Sequence, residues 1–191
     1  MSKIRNREAE TFDRLIKQVK VLVPIPQYSI FFSPQELEFI GQGLFKIVFK
    51  HGDKAVKYFK FRRISKQDVE KFTHLATLGS FEQFFLNGER WIATNFIQGN
   101  KIPKRAKTCC LNISAIERLK EDMYACLELG WAPNDLHFGN FLVEPTGRIR
   151  CIDVDLFNDI REYDANKKAR AIKSATARIE ALYQKMLKLG R

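Results

Sequence analysis

Histidine and cysteine are scarce: three and four occur in 191 residues. Cys109 and Cys110 adjoin, Cys126 and Cys151 stand apart, and neither a C-x-x-C pair nor histidines at zinc-ligand spacing are present, which excludes an ordinary structural zinc site. Free thiols in a reducing compartment are expected instead of a disulfide framework. Missing too is any uninterrupted apolar run near the ~20 residues that a membrane-spanning helix needs. Met1-Ser2-Lys3-Ile4-Arg5 leads into charged residues rather than the apolar centre of a signal peptide. A cytoplasmic protein with no transmembrane segment is expected, in which the glycosylation match Asn112-Ile113-Ser114 has no consequence. There is no internal repeat and no low-complexity tract.

Negative charge is the other shortage. Against 33 lysines and arginines stand 22 acidic residues, for a formal net charge of +11. Lys101, Lys104, Arg105 and Lys107 form one basic run; Lys167, Lys168, Arg170 and Lys173 form another. Such runs can bind RNA, an acidic protein or an anionic surface, or can simply be a solvated face. No aromatic residues interleave them as in an RNA-binding signature. At 45% hydrophobic residues the chain can bury one good core or two small lobes sharing a cleft.

What the chain does contain is an ordered set of phosphate-handling motifs. Leu37-Glu38-Phe39-Ile40 reads as a strand running into Gly41-Gln42-Gly43-Leu44-Phe45-Lys46, and Ile47-Val48-Phe49-Lys50 resumes as a strand. Two glycines let a backbone approach phosphates closely, and flanking strands make the loop a hairpin lid. After the turn His51-Gly52-Asp53-Lys54 comes the strand Ala55-Val56-Lys57-Tyr58-Phe59, with a lysine at its centre that can reach phosphates. Further on lies Asn134-Asp135-Leu136-His137-Phe138-Gly139-Asn140, then apolar Phe141-Leu142-Val143, then Ile152-Asp153-Val154-Asp155. An Asp and an Asn five positions apart, followed after a hairpin-sized gap by another Asp, gather three oxygen-bearing side chains of the type that holds a base and Mg²⁺ ligands.

In these motifs the chain resembles a small atypical protein-kinase-like domain, of the RIO-like or short bacterial serine/threonine kinase sort. Gly41, Gly43 and Val48 match the glycine-rich loop, Lys57 the V-A-I-K lysine, Asp135 and Asn140 the H-R-D-x-x-x-x-N loop, and Asp153 the D of D-F-G. The resemblance covers roughly residues 37–157. Its departures are Lys46 in place of the third glycine, Pro133-Asn134 in place of H-R, and Asp153-Val154-Asp155 in place of D-F-G. No Ala-Pro-Glu triplet follows Asp155, so the activation segment, its regulation by phosphorylation and a full helical substrate lobe are expected to be absent.

The resemblance implies an α+β, minimal two-lobed protein-kinase-like fold. It would be one domain over 1–191, with an N-terminal helix and linker over 1–36, an antiparallel-sheet lobe over 37–98 and a reduced helical lobe over 99–191. It implies ATP and Mg²⁺ as cofactors and phosphotransfer to a serine or threonine hydroxyl of a protein. Asp135 and Lys57 are the catalytic pair, and Asn140 and Asp153 hold the metal. Gly41, Gln42, Gly43, Val48, Lys57, Glu70, Asn95, Phe96 and Ile97 contact the nucleotide, Glu70 as ion-pair partner of Lys57 with Asp68 as competitor. His137 is expected to order its loop, and Asp155 to be a loop charge. The alternatives are a pseudokinase that binds nucleotide as an interaction module, and a small-molecule kinase akin to aminoglycoside phosphotransferases.

Periodicity supplies the scaffold. Phe12, Leu15, Ile16 and Val19 share a face of a helix from Glu8 to about Val21, which Pro24 and Pro26 end before a loop. Ser65 is an N-cap for a helix through about Leu78. Phe84-Phe85-Leu86, a turn at residues 87–90 and a strand from Trp91 to Ile97 form a hairpin, with Gly99 marking the crossing between lobes. Ile113, Ile116, Leu119, Met123 and Leu127 lie on one helix capped by Gly130. Residues 141–144 and 148–152 form a hairpin whose ends carry Asn140 and Asp153. Ile172, Ala175, Ile179, Leu182, Met186 and Leu189 stripe a long last helix, docked on the core or paired in a coiled coil.

Overall fold

The computed structural model describes residues 2–24, 29–32, 34–102 and 111–190. Lys104, Arg105, Lys107, Cys109, Cys110 and Pro26 lie outside the described residues. The fold is α+β, with antiparallel sheets and four helices among the described residues. No helix among them is long and apolar enough to cross a membrane. Two compact units divide the chain: Met1–Glu70 with Gln83–Phe96, and Lys71–Glu82 with Ile97–Arg191.

The first unit is a five-stranded antiparallel sheet backed by a helix. Helix α1 (Ser2–Gln18) is followed by the paired strands β1 (Lys20–Pro24) and β2 (Ser29–Phe32). The sheet proper comprises β3 (Glu38–Gln42), β4 (Lys46–His51), β5 (Lys54–Phe59), β6 (Phe84–Asn87) and β7 (Trp91–Asn95), in the order β3-β4-β5-β7-β6. Alternation along the strands sorts their side chains between two faces. Ile47, Phe49, Val56, Tyr58, Trp91 and Ala93 pack with Phe12, Leu15 and Ile16 of α1. The residues between them, Val48, Ala55, Lys57, Ile92 and Thr94, fall on the opposite face. Two expectations are corrected here. The first helix ends at Gln18 rather than near Val21, and the presumed loop before the first strand contains the β1–β2 pair. Pro24 is the last residue of β1, where it pairs with Ser29.

Helix α2 (Lys66–Leu75) starts where Ser65 predicts, through a reciprocal cap. The Ser65 hydroxyl accepts from the Asp68 amide at 3.1 Å, and the Asp68 carboxylate accepts from the Ser65 amide at 2.9 Å. Arg62 adds a bond to the same carboxylate at 2.6 Å. Burial acts to raise the Asp68 pKa, but these bonds outweigh it and hold the carboxyl below its ordinary value. The helix stops at Leu75, three residues short of Leu78.

The second unit carries the rest: β8 (Asn100–Lys101), α3 (Ile113–Glu128), β9 (Trp131–Ala132), β10 (Phe141–Val143), β11 (Ile149–Cys151), β12 (Asn158–Asp159) and α4 (Ala165–Leu189). Asn112, met in the sequence as a glycosylation match, is the N-cap of α3, its side chain accepting from the Ser114 and Ala115 amides. Ile116, Leu119, Met123 and Cys126 of α3 are buried, as are Ala175, Ile179, Leu182, Met186 and Leu189 of α4. The two helices pack together and are tied by Tyr124 to Glu180, Lys120 to Glu180, and Tyr183 to Glu117. The apolar stripe of α4 is therefore intramolecular core, as the docked alternative has it.

Candidate functional site

Each unit holds its own group of motif residues. In the first, register aligns them into one row across the sheet. Gly41 pairs with Val48, Val48 with Lys57 and Lys57 with Ile92, all on the face turned away from α1. Lys57 is only 2% exposed, a burial ordinary surface lysines do not reach. The Gly-x-Gly turn connects β3 and β4, closed by the Gly43 amide donating to the Lys46 carbonyl at 2.9 Å. A Cβ built on Gly41 or Gly43 would meet nothing within 4 Å, and neither has positive φ. The fold itself does not require glycine at either position. What the missing side chains provide is open space over the loop, which suits close approach by a ligand.

Gln42 belongs elsewhere than the sequence suggests. It pairs with Ile47, on the α1 side, and its amide oxygen accepts from Lys60 at 3.3 Å. Its side chain therefore does not share the face of Lys57. Strand β7 ends at Asn95 rather than Ile97. The Asn95 amide donates to the Gln83 carbonyl at 3.0 Å and the Phe96 amide to the Asp53 carbonyl at 2.7 Å. Both amides are thus engaged within the first unit. Asp68 is held by Arg62 and the Ser65 cap, whereas Glu70 is exposed at the end of the first unit's share of α2.

In the second unit the segment 134–155 folds as one structure. Helix α3 ends before Gly130, whose φ of +83° suits glycine and where a Cβ would lie 2.2 Å from Arg161 Cγ. Trp131–Ala132 then pairs with β12, delivering the chain to Asp135. Asp135 has φ +50°, the left-handed conformation that non-glycine residues adopt rarely and that clusters at functional sites. Its carbonyl accepts from the His137 amide at 3.1 Å and from Asn140 Nδ2 at 2.8 Å, which stabilise the unusual backbone. The Asp135 carboxylate is exposed, with His137 Nε2 at 3.6 Å. The His137 ring also lies against Gly139, within 3.0 Å of a Cβ built there, in keeping with a loop-ordering role.

Asn140 is 6% exposed. Because only the NH₂ end of its amide can donate to a carbonyl, the bond to Asp135 fixes which way the group points. Its Oδ1 accepts no hydrogen bond among the described residues. The Asn140 carbonyl accepts from the Ile152 amide at 2.9 Å, and Phe141 pairs with Cys151, so the arms carrying Asn140 and Asp153 lie side by side. Asp153 Oδ1 accepts from the Asp155 amide at 3.3 Å, and the Asp155 carbonyl accepts from buried Lys71 at 2.8 Å. Lys71 carried no signal in the sequence; only the fold shows that it supports the loop after Asp153.

No group of three or more His, Cys, Asp and Glu suited to a metal occurs among the described residues. A cation here would be held by Asn140 and Asp153 oxygens together with oxygens of a bound phosphate, the hard all-oxygen set that suits Mg²⁺. The donor chemistry fits.

The chain is similar to the Bacillus subtilis (strain 168) protein named "Putative serine/threonine-protein kinase YrzF", 25% identical over 134 residues, which is 66% of this chain. The match spans 62% of that relative's length. No protein-family model matches the sequence. The similarity is to a protein named as a kinase, which agrees with the class that the motifs resemble.

Proposed function

We propose that the chain is an ATP- and Mg²⁺-dependent phosphotransferase acting on serine or threonine hydroxyls of a protein. The observation that carries it is the Asp135–Asn140–Asp153 arrangement: a left-handed aspartate with an exposed carboxylate, pinned by an asparagine whose amide oxygen accepts no bond among the described residues, beside the arm bearing a second aspartate. Asp135 would orient the attacking hydroxyl and accept its proton as the new O–P bond to the γ-phosphorus forms and the bond to the β,γ-bridging oxygen breaks, releasing ADP. Asn140 and Asp153 would hold the metal, whose charge offsets that of the phosphates. Lys57 would pair with the α- and β-phosphates, and the Gly41–Gly43 turn would cover them. Positioning and charge neutralisation carry such a reaction.

Mg²⁺-ATP should stabilise the folded protein, since a ligand at about 100 times its dissociation constant adds roughly 2.7 kcal/mol. A thermal-shift titration measures it. Lys57→Ala should shrink the shift, and Asp153→Asn should remove its dependence on Mg²⁺. A wild type with no shift across several divalent ions would refute the assignment.

The second basic run supports a partner as well. Lys167, Lys168, Arg170 and Lys173 are all exposed near the amino-terminal end of α4, where the N-cap carboxylate Asp164 accepts from the Lys167 amide at 2.8 Å. Asp164 supplies one negative charge at the positive end of the helix dipole, and the four exposed cations beside it leave a net basic surface open to an anion. Single-stranded RNA is the proposed partner. Its affinity should fall with salt at a log–log slope of about 0.7 per neutralised phosphate. Reversing the four charges should flatten the slope and leave Mg²⁺-ATP binding unchanged. No RNA binding at low salt, with binding to an acidic polypeptide instead, would assign the patch to a protein partner.

A further inference from the structure

Lys60 follows β5 directly and is 6% exposed. Its ammonium donates to the Gly43 carbonyl at 2.9 Å and to Gln42 Oε1 at 3.3 Å, and its backbone amide donates to the Phe45 carbonyl at 2.9 Å. One residue thus reaches positions 42, 43 and 45, nearly the whole Gly-x-Gly turn. The Lys60 carbonyl is in turn held by Arg90, whose guanidinium lies 5.4 Å from the Tyr58 ring centroid. The anchor is therefore tied into the sheet.

Two features distinguish this from incidental packing. No carboxylate pairs with Lys60 among the described residues, and burial pushes its pKa down. A buried ammonium without a counter-charge is unfavourable, and an apolar side chain would fill the same space without that penalty. The second feature is direction. Gln42 pairs with Ile47 on the α1 side, whereas Gly41, Val48 and Lys57 lie on the other face. Lys60 grips the turn from behind and leaves its open front clear.

We propose that Lys60 is a positioning residue that fixes the glycine turn in the shape that presents its backbone to the phosphates of a nucleotide. The proposal rests on the phosphotransferase assignment and goes further by naming what preorganises the turn. Without the clamp, the turn would have to be ordered when a triphosphate binds, and affinity would fall accordingly. A ligand without phosphates would not notice.

Lys60→Met keeps the length and apolar stem of the side chain while removing its donors and charge. Mg²⁺-ATP affinity should fall about tenfold, the worth of the lost hydrogen bonds, while adenosine affinity changes less than about twofold. Amide hydrogen exchange at residues 43–46 should accelerate by a similar factor in the nucleotide-free protein, with β5 and β7 unaffected. Lys60→Arg should restore both. The apo thermal midpoint of Lys60→Met should stay level or rise. Equal losses for adenosine and ATP, or unchanged exchange at 43–46, would overturn the proposal. Failure of the wild type to bind Mg²⁺-ATP would instead sink the parent assignment, and the exchange experiment still decides whether Lys60 orders the turn.

Discussion

Replacing Asp135 with Asn should lower phosphotransfer by about 10²-fold or more, in the range of general-base contributions, while Mg²⁺-ATP still binds within a few-fold of the wild type. The substitution is unusually clean at this position. Asparagine is among the few residues that adopt the left-handed backbone readily, so the φ of +50° is kept without added strain. The bonds that shape the loop run to the Asp135 carbonyl, which the substitution leaves in place. The carboxylate itself is exposed and, among the described residues, pairs with His137, so stability should hardly change. Asn has the shape of Asp but cannot accept the hydroxyl proton. A radiolabel transfer assay beside a calorimetric ATP titration separates the two effects. Equal transfer rates in wild type and variant would remove Asp135 from the chemistry. Undetectable transfer in both, with ATP binding intact, would make the chain a nucleotide-binding interaction module.

The largest effect on stability should come from Trp91→Ala, at about 3–5 kcal/mol, the range for truncating a buried large aromatic. Trp91 is 1% exposed, and its ring centroid lies 5.2 Å from that of Phe12 of α1. Its indole N–H donates to Asp13 Oδ1 at 2.7 Å, so truncation also strips a carboxylate of its partner. The approach is tight enough to dictate a glycine. A Cβ on Gly88 would lie 2.2 Å from Trp91 Nε1 and 2.5 Å from Asp13 Oδ1. Trp91→Phe should cost clearly less than Trp91→Ala, since it keeps most of the packing and loses the bond. Denaturant unfolding measures both. A loss below about 1 kcal/mol for Trp91→Ala would mean that α1 is not held on the sheet as described.

Legibility in the sequence tracked how local the determining physics is. Helix α2 could be read because Ser65 caps it within three residues, and α4 because its apolar stripe repeats over many turns. The hairpins of β4–β5 and β10–β11 could be read from glycine turns between alternating strands. By contrast, β9 and β12 are two residues each and exist only as partners across the chain, so no periodicity announces them. The β1–β2 pair was hidden by prolines that read as loop, although a strand end accepts one.

The candidate site divides the same way. Motif spacing named Lys57, Asp135, Asn140 and Asp153, and strand register places Gly41, Val48 and Lys57 in one row. It could not say that Gln42 turns to the other face, because a bulge between Phe39 and Gly41 shifts the register there. Nor could it show that the Asn95 and Phe96 amides are engaged by Gln83 and Asp53, or that Lys60 and Lys71 support the two loops. Each of those depends on a contact between distant parts of the chain.

The most direct measurement is transfer of the γ-phosphate itself: purified protein, γ-labelled ATP and Mg²⁺, with protein acceptors, small amino-alcohols and no acceptor run side by side. A protein phosphotransferase puts label on the protein itself or on a protein acceptor, requires Mg²⁺, and loses at least 10²-fold of that label with Asp135→Asn. Label confined to a small alcohol would contradict the proposed substrate class, and no label under any condition, from a protein that binds ATP, would contradict the enzyme assignment.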